Sequence, residues 1–171
     1  MDRVPVSYFR FLARYNRWAN QILYDHVGQL DEAEYKKDRG AFFKSIHGTL
    51  NHILLTDRIW MSRIEPDLEE IPSTALDTEL YSGFEALHAA RQAQDAALLA
   101  LLCRYDDADM ERCGDYTNSS GTRFRTPVQT MLAHMINHGT HHRGQVHDLL
   151  SQTPVAPPPL DLIFFERLDS Q

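Results

Sequence analysis

The stretch TPVQTMLAHMINHGTHHRGQVHDLLS, residues 126–151, combines a helix start, a long apolar period and a dense run of histidines. Thr126 predicts an N-cap, Pro127 the first helical position and Gln129 the partner that closes a capping box. Apolar residues then recur three and four positions apart, which is the spacing of one helix face. The stretch therefore predicts a helix that ends near Ser151, where the segment TPVAPPP follows.

Three other segments have the same apolar period. They predict helices over residues 5–27, 42–64 and 78–105, and the prolines of EPDLEEIPST separate the second from the third. Residues 106–126 lose the period and contain Asn, Ser and Gly in a cluster, which predicts an irregular loop or a small hairpin before the last long helix. Four long helices with no βαβ alternation predict an all-α four-helix bundle, against which the apolar tail LDLIFFER is expected to pack.

The composition is that of an ordinary globular protein. With 171 residues, 43% of them hydrophobic and 24% charged, the chain is expected to form a single domain over residues 1–171. The net charge of -7 argues against nucleic-acid or anionic-membrane partners, because phosphate groups are bound by clustered Lys and Arg. Cys103 and Cys113 have no metal-knuckle spacing and favour a reduced, cytoplasmic location. Charges interrupt residues 1–18, so we expect them to belong to the fold rather than to a membrane segment.

Five of the nine histidines lie between positions 134 and 147. With about 100° of rotation per residue, His142 falls within the apolar stripe of the helix and His138 falls at its edge. His134, His141 and His147 fall more than roughly 100° from the stripe centre, so we expect them at the rim or in solvent. His138 and His142 are one turn apart, and both imidazoles can reach one ion. The alternative is a pair of core-edge histidines, each satisfied by a hydrogen bond.

A third ligand would have to come from another helix. The second predicted helix offers His47 and His52, which are five positions apart and therefore on different faces. His47 lies nearer the mean apolar direction, but Leu55 and Ile59 lie on the side of His52, so this helix could be buried on more than one face. Periodicity leaves the choice open. Asp57 is a candidate base or an outer partner of the site, and the alternative is an exposed helix carboxylate or an ion-pair partner.

These segments resemble the DinB family of metal-dependent proteins, which is distinct from the DNA polymerase that shares the name. NHILLTDRIW, residues 51–60, is similar to the family's second-helix pattern, a His followed eight residues later by Trp. NHGTHHRGQ, residues 137–145, is similar to its fourth-helix pattern. ARYNRWANQILYD, AFFKSIHGTLNH and LDLIFFER extend the resemblance over nearly the whole chain, whereas the third helix and residues 106–126 match weakly.

The resemblance implies a bundle that dimerises and binds a divalent ion, zinc or nickel, through three histidines. Carried over by motif, the ligands are His52, His138 and His142, and His47 remains the alternative on the second helix. A homodimer through the faces of the first two helices is expected from the resemblance and from the surplus of apolar residues on the second.

Three further residues belong to the same motif. Arg143 and Gln145 match it without a role that the sequence explains, and Gly144 either permits a close helix approach or is simply tolerated.

The ligand set limits the chemistry. Three neutral imidazoles leave a divalent ion its full charge and an open position, which can activate water for hydrolysis or a thiol for transfer. Relatives include thiol-dependent S-transferases and a maleylpyruvate isomerase, so the resemblance implies a small-molecule substrate or a low-molecular-weight thiol. Gly139 follows His138, so the general base of an HExxH motif is missing and no catalytic residue is assigned. A non-catalytic stress-response module with a structural ion is the alternative.

Overall fold

The computed structural model describes residues 4–65, 67–68, 75–118 and 120–169. Its helices and strands are α1 (Val6–Val27), α2 (Glu32–Lys36), α3 (Ile46–Ile64), α4 (Phe84–Arg104), α5 (Asp107–Glu111), β1 (Cys113–Thr117), β2 (Arg123–Pro127), α6 (Val128–Leu150) and α7 (Leu162–Asp169). The helices α1, α3, α4 and α6 are the four long helices that the apolar period predicts, but α4 begins at Phe84 and not near residue 78. Because β1 and β2 form an antiparallel pair, the purely all-α class is corrected to a mostly helical fold with one small sheet.

The start of α3 differs from the prediction. The helix begins at Ile46, after a tight turn over residues 41–44 in which the backbone N–H of Lys44 donates to the carbonyl of Ala41. Lys44 has a φ of 66°, which no right-handed helix accommodates. The side chain of Ser45 then caps the helix. The two phenylalanines of this segment therefore lie on a turn that precedes the helix.

The predicted N-terminal cap of α6 is wrong. Thr126 and Pro127 are the last two residues of β2 and pair with β1, so the helix begins at Val128. No side chain caps it, and Gln129 instead accepts a hydrogen bond from the backbone N–H of Val4. The hairpin itself is the one predicted as an alternative to an irregular loop, and the short helix α5 precedes it.

The long helices pack in pairs, α3 against α6 and α4, and α1 against α4 and α6. Helix α3 is buried on nearly every side. Its buried residues include Ile46, His47, Leu50, His52, Ile53, Leu54, Leu55, Asp57, Ile59, Met61 and Ile64. This confirms that the second predicted helix is buried on more than one face, which is why its apolar period selects no single direction.

The C-terminal helix α7 covers one side of α1. Phe165 lies among the rings of Phe11, Tyr15 and Trp18, with ring centroids 5.6 to 6.1 Å apart. The hydroxyl of Tyr15 donates to the carbonyl of Leu160. The tail therefore packs on the body as predicted. Among the described residues, no helix is both long and apolar enough to cross a membrane.

Candidate metal centre

Three histidine side chains meet between α3 and α6. The Nε2 atom of His138 lies 3.2 Å from Nε2 of His52 and 3.0 Å from Nε2 of His142. One ligand nitrogen from each residue lies within 4.8 Å of the other two. His52 and His142 are buried and His138 is half-buried. The structure thus brings together the three residues that the motif resemblance selected.

The outer nitrogens of His52 and His142 each face an oxygen. Nδ1 of His52 lies 2.8 Å from the carbonyl oxygen of Leu76, and Nδ1 of His142 lies 2.7 Å from Oε1 of Gln145. A carbonyl oxygen can only accept, so each Nδ1 carries the proton. In a neutral imidazole the Nε2 atom then keeps its lone pair. Gln145, a motif residue without a role in the sequence, therefore fixes the tautomer of His142.

His138 has the same arrangement with a hydroxyl group. Its Nδ1 lies 3.3 Å from Oγ1 of Thr56, whose hydroxyl donates to the carbonyl of His52 at 2.9 Å. The Thr56 oxygen is thus left to accept from His138. All three imidazoles then direct unprotonated Nε2 atoms at one another. This outer layer of hydrogen bonds is the arrangement that orients histidines toward a metal.

The pKa values of the three ligands favour the neutral form. Burial, with the neighbouring His142 and His52, lowers the pKa of His138 to about 3. Burial also lowers the pKa of His142 to about 4 and the pKa of His52 below its usual value. Three lone pairs at this separation repel one another, and a cation at their meeting point satisfies all of them. The residues therefore fit a divalent ion, for which imidazole nitrogen is a common ligand.

His47, the alternative ligand, lies outside this cluster. Its Nδ1 is 2.9 Å from the hydroxyl of Tyr35, and its Nε2 is 3.5 Å from a carboxylate oxygen of Glu79. It is a buried histidine with its own partners. Periodicity left the choice between His47 and His52 open, because α3 is buried around His52 as well.

Asp57, the candidate base, is buried in an ion pair. Its carboxylate lies 2.6 Å from Nη1 of Arg91, and only 5% of the residue is exposed. The expectation of an exposed helix carboxylate is wrong, and that of an ion-pair partner is confirmed. Asp57 does not line the cleft described below, so its geometry does not support a catalytic role.

Arg143 has a structural role on the opposite face of the motif. Its buried Nη1 donates to the side-chain oxygens of Asn16 and Asn20 on α1. A Cβ atom on Gly139 would lie 3.1 Å from that Nη1, so glycine leaves the space in which the guanidinium lies. Gly144 has nothing within 4 Å of such an added atom. A close helix approach at Gly144 is therefore not found, and Gly139 is the glycine that permits a close contact.

A cleft of about 550 Å³ opens beside the three histidines, and we call it the histidine cleft. Its described lining residues are Phe42, Phe43, His52, Thr56, Ile59, Trp60, Arg63, Leu76, Asn118, His134, His138, His141, His142 and Gln145. This described set includes no Asp or Glu. His134 and His141 are exposed, as predicted, but they line the cleft. The three histidines therefore face a space that a small molecule can enter.

Several cleft residues were not identified from the sequence. Phe43 stacks on the ring of His52 with centroids 3.9 Å apart, and Trp60 packs on His134 at 4.5 Å. Leu76 holds His52 through its backbone, which no side-chain pattern can reveal. Trp60 was marked only as part of the motif. The one sequence signal for Phe43 was its pairing with Phe42 just before the residue that caps α3.

Comparison with known proteins gives the same family. The model of the DinB family matches residues 6–171. "Protein DinB" from Bacillus subtilis (strain 168) is 29% identical over 162 residues, which cover 91% of this chain and 92% of that protein.

Two solved structures have a similar fold. The structure of a DinB-like protein from Bacillus cereus ATCC 10987 aligns with a TM-score of 0.65 at 17% identity, covering 83% of this chain and 90% of that one. A DinB-like protein from Bacillus subtilis aligns with a TM-score of 0.60 at 14% identity, covering 88% and 97%. At these identities the likeness concerns the fold.

Proposed function

This chain belongs to the DinB family, and we propose that it binds a divalent ion, zinc or nickel, on a four-helix bundle. The proposed ligands are His52, His138 and His142. The observation that carries this proposal is the meeting of three Nε2 lone pairs whose imidazoles each have an oxygen at Nδ1. Such a set has no hydrogen-bond donor for its three lone pairs, and a bound cation accepts them instead.

The open side of the cluster supports a catalytic ion. A structural site is closed by four protein ligands, whereas a catalytic site keeps one position for a substrate. The oxygens of Gln145 and Thr56, which lie beside the ligands, are occupied by imidazole Nδ1 atoms. The histidine cleft borders all three ligands. The alternative, a non-catalytic stress-response module in which the ion only joins α3 to α6, leaves this cleft without a purpose.

Thiol-dependent group transfer is the reaction that the residues support best. A divalent ion held by the three imidazoles would act as a Lewis acid toward a bound thiol or water. The cleft residues that the structure describes include no carboxylate to take a proton from water. A thiol has a pKa near 8.5 and gives up its proton far more readily than water. We therefore propose a thiol-dependent S-transferase with a small-molecule substrate.

Hydrolysis is the second candidate, and one residue favours it. His134 lines the cleft, and its ring centroid lies 5.8 Å from that of His138. Burial, followed by the charge of Arg63, lowers the pKa of His134 below its usual value. The imidazole is therefore neutral at neutral pH and can accept a proton from water.

Metal analysis of the purified protein tests the ligand set. We expect about one divalent ion per chain in the native protein and loss of the ion in His138→Ala, because a three-ligand site does not hold its ion with two. His47→Ala is the matched control on α3 and is expected to keep the ion. If His47→Ala loses the metal and His52→Ala keeps it, the ligand on α3 is His47 and the proposed ligand set is wrong.

Cobalt substitution separates the two reactions. Adding 2-mercaptoethanol to the cobalt-loaded protein is expected to produce a sulfur-to-cobalt charge-transfer band and to raise the melting temperature. Ethylene glycol, which has oxygen in place of the sulfur, is expected to do neither. His142→Ala should abolish both responses. If the thiol leaves the spectrum of the cobalt-loaded protein unchanged, the transferase proposal is wrong and hydrolysis remains.

We also propose a homodimer and a cytoplasmic location. The dimer now rests on the family resemblance alone, because Leu55 and Ile59, the apolar surplus of the second predicted helix, are buried within the chain. A single monomeric species in light scattering would contradict it.

Cys103 and Cys113 are free thiols, which is compatible with a reducing compartment.

A further inference from the structure

The carbonyl group that faces His52 belongs to a segment between two helices. Nδ1 of His52 lies 2.8 Å from the carbonyl oxygen of Leu76. Leu76 is part of residues 75–81, which precede α4 and which we call the strap. His52 lies on a buried helix, but its partner is a backbone group of a loop, and loops move more than the elements that they connect. The tautomer of His52 therefore depends on what keeps the strap in place.

Asn51 binds the other end of the strap. Its Oδ1 accepts hydrogen bonds from the backbone N–H groups of Leu80 at 2.9 Å and Tyr81 at 3.0 Å. Its Nδ2 donates to the carbonyl of Tyr81 at 3.2 Å and to the carbonyl of His47, one turn earlier on α3, at 3.1 Å. Backbone N–H groups only donate and carbonyls only accept, so these contacts fix the orientation of the amide. The Asn51 side chain thus joins the strap to α3.

Burial makes this contact difficult to replace. Asn51 is only 2% exposed, and Leu80 and Tyr81 are half-buried. When one partner of a buried hydrogen bond is removed, the group that remains is left unsatisfied, which costs more than the hydrogen bond contributed. An apolar side chain at position 51 therefore favours movement of the strap toward water, where its N–H groups find acceptors.

A short turn connects the two ends of the strap. Leu80 follows Leu76 by four positions, and the backbone N–H and the hydroxyl of Thr78 both donate to the carbonyl of Ala75. This turn limits how far the Leu76 carbonyl can move while the other end is held. The side chain of Leu76 also lines the histidine cleft. The position of the strap therefore affects the wall of the cleft as well as His52.

We infer that Asn51 is a positioning residue for the ligand His52. Asn51 holds the strap, and the strap presents the Leu76 carbonyl to Nδ1 of His52. This carbonyl keeps the proton on Nδ1, so that Nε2 of His52 faces the other two histidines. The inference rests on the proposed ligand set and adds the residue that orients one of its members. The alternative is that Asn51 stabilises the fold without any effect on His52.

The tautomer of His52 is the readout that separates these two roles. Chelator-treated protein with isotopically labelled histidine is measured by NMR at neutral pH, because protonated and unprotonated ring nitrogens resonate at well-separated frequencies. A His52→Gln sample assigns the signals. We expect the proton on Nδ1 in the native protein and a mixture of both tautomers in Asn51→Leu, which has a side chain of similar size without the amide.

Zinc affinity is the second readout. We expect zinc to bind about tenfold more weakly to Asn51→Leu, as it does when a ligand loses its outer hydrogen-bond partner. Competition with a chromogenic chelator measures the affinity. Asn51→Asp keeps an acceptor for the two N–H groups of the strap and loses the donor, so it is expected to recover part of the affinity and of the Nδ1–H form. Far-UV circular dichroism melts check that each variant is folded.

Two other contacts of the strap provide matched controls. Arg58 donates to the hydroxyl of Tyr81 at 3.1 Å, and a carboxylate oxygen of Glu79 lies 3.5 Å from Nε2 of His47. The side chain of Glu79 is 54% exposed, so this contact contributes little. Tyr81→Phe and Glu79→Gln remove these contacts but keep the backbone N–H groups that Asn51 binds. Both variants are expected to keep the native tautomer and the native zinc affinity.

Hydrogen exchange of the native protein tests the strap without any substitution, and it decides the matter if Asn51→Leu does not fold. The amide protons of Leu80 and Tyr81 are expected to exchange much more slowly than those of an unstructured peptide, because both are bound to a buried acceptor. If they exchange as in an unstructured peptide while His52 keeps its proton on Nδ1, Asn51 does not position His52 and the inference is wrong.

The variants can also overturn the inference. A folded Asn51→Leu with the native tautomer and zinc affinity would do so. An equal change in Tyr81→Phe and Glu79→Gln would mean that any disturbance of the strap has this effect and that Asn51 has no special role. Zinc content is measured on the same preparations. If the native protein binds no zinc, the proposed function fails, while the NMR of chelator-treated protein still decides whether Asn51 positions His52.

Discussion

Two groups of buried polar side chains lie among the long helices, and only one of them combines donors with acceptors. In the first, which we call the ionic network, Arg91 contacts Asp57 at 2.6 Å and Asp95 at 2.9 Å. Asn16 and Asn20 donate to Asp95 and accept from Arg143, so two carboxylates and two guanidinium groups share one network. In the second, His52, His138 and His142 offer three lone pairs to one another without a donor.

The difference separates a structural cluster from a ligand site. Buried charges are tolerated when opposite charges and hydrogen bonds surround them. The ionic network combines both signs of charge, although the buried Nε of Arg91 has no hydrogen-bond partner among the described residues. Among the residues that the structure describes, no donor faces the three histidine acceptors. The histidine group is therefore suited to bind a cation, whereas the ionic network already contains charges of both signs. Each prediction below tests one of these two groups or its hydrogen bonds against a control variant.

Removing Arg91 should have the largest effect. Arg91→Met leaves Asp57 and Asp95 buried without their cation, and we expect the free energy of unfolding to fall by about 3–5 kcal/mol. Urea denaturation at neutral pH measures it. Arg14→Met is the control, because it breaks the ion pair with Asp169 that is partly exposed and should cost at most about 1 kcal/mol. If Arg91→Met and Arg14→Met lower the free energy of unfolding by similar amounts, the ionic network is not a structural element.

Zinc should stabilise the native protein through the histidine group alone. At a free zinc concentration about 100 times the dissociation constant, we expect a gain of about 2.7 kcal/mol in the free energy of unfolding. His138→Ala should lose this gain, because it removes the nitrogen that lies between the other two. His47→Ala should retain it. Urea denaturation with and without zinc gives both values, and a zinc response that survives His138→Ala would contradict the ligand set.

Acid should destabilise the metal-free protein through the same histidines. Their pKa values are lowered in the folded state, to about 3 for His138 and about 4 for His142, whereas an unfolded histidine has a pKa of about 6.5. The unfolded chain therefore binds protons first as the pH falls. This contribution to stability is complete above about pH 6.5 and is lost progressively toward about pH 4.

The control for this pH dependence is a variant that lacks one of the shifted groups. Metal-free His138→Ala should lose less stability than the native protein between about pH 7 and about pH 4.5, since it has one such histidine fewer. Urea denaturation at a series of pH values gives the two slopes. The lowered pKa values of His47 and His134 contribute equally to both proteins. Parallel curves would show that His138 is not held in its neutral form.

The comparison also explains what the sequence could reveal. The pair on α6 was predictable, since His138 and His142 are one turn apart beside a narrow apolar stripe, and local periodicity is sufficient for that. His52 was not, because α3 is buried on nearly all sides and its period has no single direction. The burial of Asp57 depends on Arg91, which is 34 positions away on another helix. Only tertiary packing, or resemblance to a family, supplies such information.

The boundaries of the helices also depend on tertiary contacts. The apolar period predicted the four long helices, but local capping signals failed where a tertiary contact competed with them. Thr126 and Pro127 pair in β2, so they cannot start α6. The positive φ of Lys44 moves the start of α3 to Ile46, directly after the capping residue Ser45. This shift matters for the site, because Phe43 lies before the helix and its ring stacks on the ring of His52.

The hydrogen bonds around the ligands should have the smallest effect. Gln145→Ala removes the acceptor that fixes the tautomer of His142, and we expect zinc to bind about tenfold more weakly. Thr56→Val, which removes a longer contact of 3.3 Å to His138, should weaken binding less. Competition with a chromogenic chelator measures both affinities. Gln92→Ala changes an exposed glutamine on α4 and should leave zinc affinity unchanged. Because the proposed ligands remain in place, neither Gln145→Ala nor Thr56→Val should abolish zinc binding. If Gln145→Ala loses as much affinity as His138→Ala, Gln145 is itself a ligand.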